Sequence, residues 1–93
     1  MLPIVIVTGS PGTGKTTVAA ALAKARARGL HLPADVFFTF PAHAIPPYQP
    51  EARDQNRDIM IALARTAATF AGRGYDVFMD GIFGPWFLPV VAA

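Results

Sequence analysis

Eight consecutive residues, Gly9-Ser10-Pro11-Gly12-Thr13-Gly14-Lys15-Thr16, have the types and spacing that bind phosphate. They fit the P-loop pattern G-x-x-x-x-G-K-[ST], and Thr17 continues it into the next element. Glycines let the backbone turn so that successive N–H groups point into one concavity and meet phosphate oxygens. The helix that follows adds its unpaired N-terminal N–H groups and the positive end of its dipole. Lys15 is placed to reach the β- and γ-phosphates as a point charge, and the Thr16 hydroxyl to ligate Mg²⁺.

Two aspartates extend that chemistry. Asp80 closes an apolar run, the position of a Walker-B carboxylate that orients Mg²⁺ or its water shell beside Thr16. A turn aspartate in Asp80-Gly81 is the alternative reading. The residue after Asp80 is Gly81 rather than a glutamate that would activate water, which speaks against a water-activating ATPase. Asp35 is the only acid before Pro50. It reads as a base or orienting group for an acceptor hydroxyl, or else as a solvated loop residue. Asn56 and Arg57 lie near the start of a later helix, where they would bind an acceptor or simply face water. His31 and His43 have no metal-ligand spacing, and no role is assigned to either.

These residues need elements to hold them. Residues 2–8 form an apolar, β-branched run that reads as a buried strand. Residues 17–28 are alanine-rich and read as a helix, with Val18, Ala21, Leu22 and Ala25 on one stripe and Gly29 as C-cap. Lys24, Arg26 and Arg28 at its end suit the helix dipole better than nucleic acid. Leu30-His31-Leu32 reads as a short strand stopped by Pro33. Residues 33–50, with several prolines and four aromatics, read as a long irregular connection.

Pro50 then opens the clearest helix, with Glu51 and Asp54 in its first turn. Ile59, Leu63, Thr66 and Phe70 form its core stripe, while Arg53, Arg57 and Arg65 lie outside it. Gly72 and Gly74 end it, and residues 75–80 form the next strand. Trp86, Phe83 and Phe87 read as core packing or an aromatic substrate wall.

The order β-α-β-α-β implies right-handed crossovers and an α/β fold. The expectation is a three-layer parallel sheet of the P-loop NTPase type, of about three strands with two main helices. Ligands in such sheets bind at the carboxyl ends of the strands. The phosphate loop, Asp35 and Asp80 all converge on that edge.

Composition bounds the rest. The chain has 93 residues, which is at most one domain. It is 53% apolar and only 15% charged, a bias that parallel strands covered on both faces would produce, as would a piece cut from a larger protein. A net charge of +2 says little about partners, and the absence of cysteine excludes disulfides and thiolate chemistry. The N-terminus lacks the basic region of a signal peptide, and residues 82–93 are too short to span a bilayer. No membrane or nucleic-acid partner is expected, and a cytoplasmic location is the default.

Residues 9–17, the segment 31–37 around Asp35, the helix start Gln55-Asn56-Arg57 and the stretch 80–88 together resemble bacterial P-loop kinases of small molecules. The resemblance is to the chloramphenicol phosphotransferase-like and zeta-toxin-like kinases, often called AAA-domain proteins. It implies a sheet with strands in the order 2-3-1 and ATP-dependent, Mg²⁺-assisted transfer of the γ-phosphoryl to a hydroxyl of a small-molecule acceptor. Lys15 and Asp35 would be catalytic, with Thr16 and Asp80 on the metal. Two departures stand out: residue 36 is Val rather than a second acid, and no Lys or Arg follows Arg73, so the lid arginines of such kinases have no counterpart. The expectation is therefore the N-terminal portion of such a kinase, a single P-loop domain over residues 1–93 that binds a nucleoside triphosphate but lacks the cations for full catalysis. The alternatives are a P-loop ATPase or nucleotide-binding module with no phosphoryl acceptor, and an inactive fragment. An unpaired sheet edge beside the apolar C-terminus predicts self-association.

Overall fold

The computed structural model describes residues 4–8 and 14–81. Three parallel strands, β1 (Ile4–Thr8), β2 (Gly29–Pro33) and β3 (Asp76–Gly81), form one sheet in the order β1-β3-β2. This is the expected α/β architecture and strand order. Helix α1 (Lys15–Lys24) connects β1 to the sheet's other edge, and α2 (Ala34–Phe37) follows β2. A 3-10 turn at Pro50–Ala52 leads into α3 (Arg53–Gly72), which returns the chain to the centre of the sheet.

The pleat of β3 sorts the two faces, because successive side chains on a strand point to opposite sides. Val77 and Met79 join a core with Ile59, Met60, Leu63, Ala67 and Ala71 of α3, together with Leu32 and Ala34. Phe78 points the other way and packs with Ala19 and Ala23 of α1 and with Val7. The sheet thus lies between α3 and α1. The α3 face is broad. The α1 face is thin, because alanines meet the sheet there.

Several local expectations are corrected. The helix predicted over residues 17–28 spans Lys15–Lys24 and is capped by Ala25. Gly29 is not its C-cap but the first residue of β2. A Cβ at Gly29 would lie 1.7 Å from the Ala23 carbonyl oxygen, so the crossing of the α1 end over β2 requires glycine. The stripe of α1 is also different: Ala19 and Ala23 are buried, while Val18 and Leu22 are 48% and 40% exposed. Small side chains let the helix approach the sheet closely, and the larger ones are turned outward. Val5 and Ile6 are half-exposed too, because β1 pairs with β3 alone among the described residues.

Arg28 does not serve a helix dipole. Its guanidinium lies 4.2 Å from the centre of the Tyr75 ring, and that ring meets Phe70 edge-on. Tyr75 precedes β3 rather than opening it. In α3 the core stripe runs through Asn56, Met60, Leu63, Ala67 and Ala71 as well as Ile59, with Thr66 and Phe70 half-buried at its margin. Arg53, Arg57 and Arg65 are exposed, as the pattern predicts. Gly74, at φ 89°, takes the left-handed turn that ends α3.

The connection over residues 33–50 is more ordered than its prolines imply. Beyond α2, the Gln55 side-chain amide accepts a hydrogen bond from the Ile45 N–H and donates to the Ile45 carbonyl, both at 2.8 Å. Asn56 Nδ2 donates to the Pro47 carbonyl at 2.9 Å. Two adjacent α3 side chains therefore strap this segment to the helix.

Candidate functional site

The site begins where α1 begins. Gly14 adopts φ 81° and precedes the helix, a left-handed conformation that a side chain would strain. Its carbonyl accepts the Val18 N–H at 3.0 Å, which closes the first helical turn. Lys15 and Thr16 are thereby set at the N-terminal end of α1, with Thr17 exposed beside them. Gly9, Ser10, Pro11, Gly12 and Thr13 lie outside the described residues, as does the stretch 82–93 with Phe83, Trp86 and Phe87.

Asp80 lies on the central strand, paired in register with Val7 on one side and Pro33 on the other. The pleat that turns Phe78 toward α1 turns Asp80 the same way. The residue is 1% exposed, and its carboxylate is held at both oxygens. The Thr16 hydroxyl donates to Oδ1 at 3.0 Å. Nε2 of His31 meets Oδ2. An ionised carboxylate only accepts, so the contact is a hydrogen bond in the tautomer that carries the proton on Nε2.

His31 is assigned no role by the sequence pattern. It sits opposite Phe78 in the β2–β3 register, on the face that also carries Asp80. Strand parity was the available signal, but it becomes readable only once the register between β2 and β3 is known.

The other expected residues gather less tightly. Asp35 is the second residue of α2, exposed, just beyond the Pro33 that pairs with Asp80. It reaches the expected edge of the sheet, but on a short helix rather than in a loop. Asn56 and Arg57 lie near the start of α3, which packs on the opposite face of the sheet from α1. Arg57 is exposed. Asn56 is buried, its Nδ2 is committed to Pro47, and its Oδ1 has no partner among the described residues. Neither joins the Thr16–Asp80–His31 cluster.

The cluster has a donor set suited to Mg²⁺. A hydroxyl and a carboxylate are hard oxygen ligands, and Mg²⁺ commonly takes one or two carboxylates while keeping waters and phosphate oxygens in its remaining positions. A Thr hydroxyl that donates its proton to Asp80 still has a lone pair free for a cation.

Residues 5–76 match the family model described as ATPase family associated with various cellular activities (AAA). The chain belongs to the AAA family. The match begins in β1, includes the phosphate loop and ends as β3 begins, before Asp80. It makes this chain a P-loop module of the nucleotide-binding type. No curated protein matches the sequence. Among the described residues of this AAA domain, no helix is long and apolar enough to cross a membrane.

Proposed function

We propose that this AAA domain binds Mg²⁺·ATP at residues 9–17 and directs the γ-phosphoryl toward the hydroxyl of a small-molecule acceptor. The observation that carries the reading is the Thr16–Asp80 hydrogen bond at the carboxyl edge of the sheet, with Asp35 starting the next helix along that edge. Lys15 holds the β- and γ-phosphates, and Thr16 and Asp80 hold the cation. When bound, Mg²⁺ supplies neutralisation of the charge on the phosphate oxygens. Asp35 accepts the acceptor's hydroxyl proton as the new O–P bond forms. The bond from Pγ to the bridging oxygen breaks, and ADP departs with that electron pair. Asn56 contributes by strapping the segment at Pro47 to α3, and Arg57 offers an exposed cation to an acceptor from the same helix start.

A second reading is a P-loop ATPase or nucleotide-binding module with no phosphoryl acceptor, and the AAA family match is compatible with both readings. Gly81 after Asp80 weighs against hydrolysis, since no carboxylate there activates water. Asp35→Asn separates the two. Under the transfer reading, nucleotide affinity stays near wild type while phosphorylation of a hydroxyl acceptor falls by about 10²-fold or more, the scale of losing a general base. The measurement pairs calorimetric affinity with transfer from radiolabelled ATP to a panel of hydroxyl compounds. ATP turnover with no labelled acceptor, unchanged in Asp35→Asn, would replace transfer with hydrolysis.

A further inference from the structure

We propose that His31 is a positioning residue that sets the orientation of the metal-binding carboxylate. This rests on the reading of Thr16 and Asp80 as the Mg²⁺ pair. Asp80 is the penultimate residue of the central strand and its side chain is 2% exposed. The terminal torsion of an aspartate is broad and roughly two-fold, so a single hydrogen bond leaves the carboxylate free to turn. Here both oxygens are anchored. Thr16 occupies Oδ1, and His31 occupies Oδ2 from the neighbouring strand.

The two anchors do different things. The Thr16 hydroxyl is itself a cation ligand, and Oδ1 fixes where that hydroxyl points. His31 lies on the opposite side, supplied by β2 through strand parity, and its side chain remains 22% exposed. Its N–H satisfies the second oxygen of a carboxylate that has almost no access to water. Without that donor, Oδ2 becomes a buried acceptor with no partner, and the carboxylate turns to share its one remaining donor or to find solvent. Oδ1 then leaves the place where it aligns Thr16. His31 thus acts through Asp80, and it tunes how strongly Mg²⁺ and nucleotide support each other. Outer-sphere partners of metal ligands commonly carry 10- to 100-fold in metal affinity.

The test is the ratio of ATP dissociation constants in EDTA and in saturating Mg²⁺, by calorimetry on the full chain. His31→Ala should lower that ratio about 10-fold while leaving the EDTA affinity at its wild-type value. His31→Gln, whose amide N–H reaches about as far from Cβ, should restore it. An unchanged ratio in His31→Ala would overturn the proposal, as would an equal loss with and without Mg²⁺, which a purely structural role gives. A wild-type chain that binds ATP with no Mg²⁺ dependence would overturn the metal pair and this inference while sparing the phosphate loop. A wild-type chain that binds no ATP would overturn the phosphate site as well.

Should His31→Ala fail to fold, His31→Gln against His31→Leu carries the same comparison. The imidazole ¹⁵N signal of Nε2 is a second readout. It should shift in Asp80→Asn, and a signal that stays put would remove the contact on which the proposal stands.

Discussion

The two faces of the sheet are built for different ends. On the α3 side, Val77 and Met79 meet the apolar side chains of Ile59, Met60 and Leu63. On the α1 side, Phe78 meets Ala19, Ala23 and Val7 among the described residues, and two residues further along the same strand Asp80 replaces an apolar side chain. One strand serves both faces because its side chains alternate. Stability is concentrated on one face, and the polar cluster is assembled on the other. A buried carboxylate is tolerated there because Thr16 and His31 satisfy it. The thin packing brings the start of α1 close enough to the sheet for Thr16 to reach it.

This division predicts that substitutions on the two faces fail in different ways. The largest stability effect is expected at Leu63, fully buried in the α3 face. Leu63→Ala should cost about 2–5 kcal/mol in denaturant unfolding, with nucleotide affinity of the folded fraction unchanged. A coupled loss of affinity would break the separation between the faces.

Lys15→Ala is the opposite case. It should weaken Mg²⁺·ATP binding by about 10- to 100-fold, the scale of losing a contact between charged groups, and leave the melting midpoint close to wild type. Unchanged affinity would remove the phosphate-site assignment.

Gln55→Ala tests the strap between α3 and the segment over residues 45–47. Losing two hydrogen bonds to Ile45 should cost about 1–2 kcal/mol and speed amide exchange in that segment ahead of the sheet. Exchange that accelerates equally in β3 would show the strap to be part of the core.

The smallest expected effect on folding is at Val18, exposed on the outer side of α1. We propose that the half-exposed Val5, Ile6, Val18 and Leu22 support self-association. Val18→Lys should change stability by no more than about 0.5 kcal/mol yet lower the apparent mass in light scattering at micromolar concentration. A wild-type chain that is already a monodisperse monomer would remove that proposal.

Much of the architecture is contiguous in sequence and was legible there. Residues 9–17 match a pattern that needs no knowledge of the fold, and the alternation of apolar runs with helical stretches implies parallel strands, while the observed order is the one the resemblance to P-loop kinases implies. The boundaries at Gly29 and Tyr75 were misplaced because a helix end and a strand start compete for the same residues. The crossing of Ala23 over Gly29 decides between them. The sequence pattern puts Val18 and Leu22 on the buried face of α1 because it equates apolar character with burial. Close approach selected Ala19 and Ala23 over Val18 and Leu22.

The sequence by itself determined the phosphate-binding pattern, the parallel α/β class and the place of Asp80 at a strand end, because each depends on neighbours along the chain. The tertiary structure alone decided that His31 meets Asp80 and that Asn56 holds Pro47 instead of joining the cluster. It likewise placed Asp35 on an exposed helix beyond the sheet edge. His31 and Asp80 are 49 residues apart, and their meeting depends on which strands are adjacent and in what register. A shift of one residue in that register would turn His31 to the α3 face and leave half of the Asp80 carboxylate without a partner.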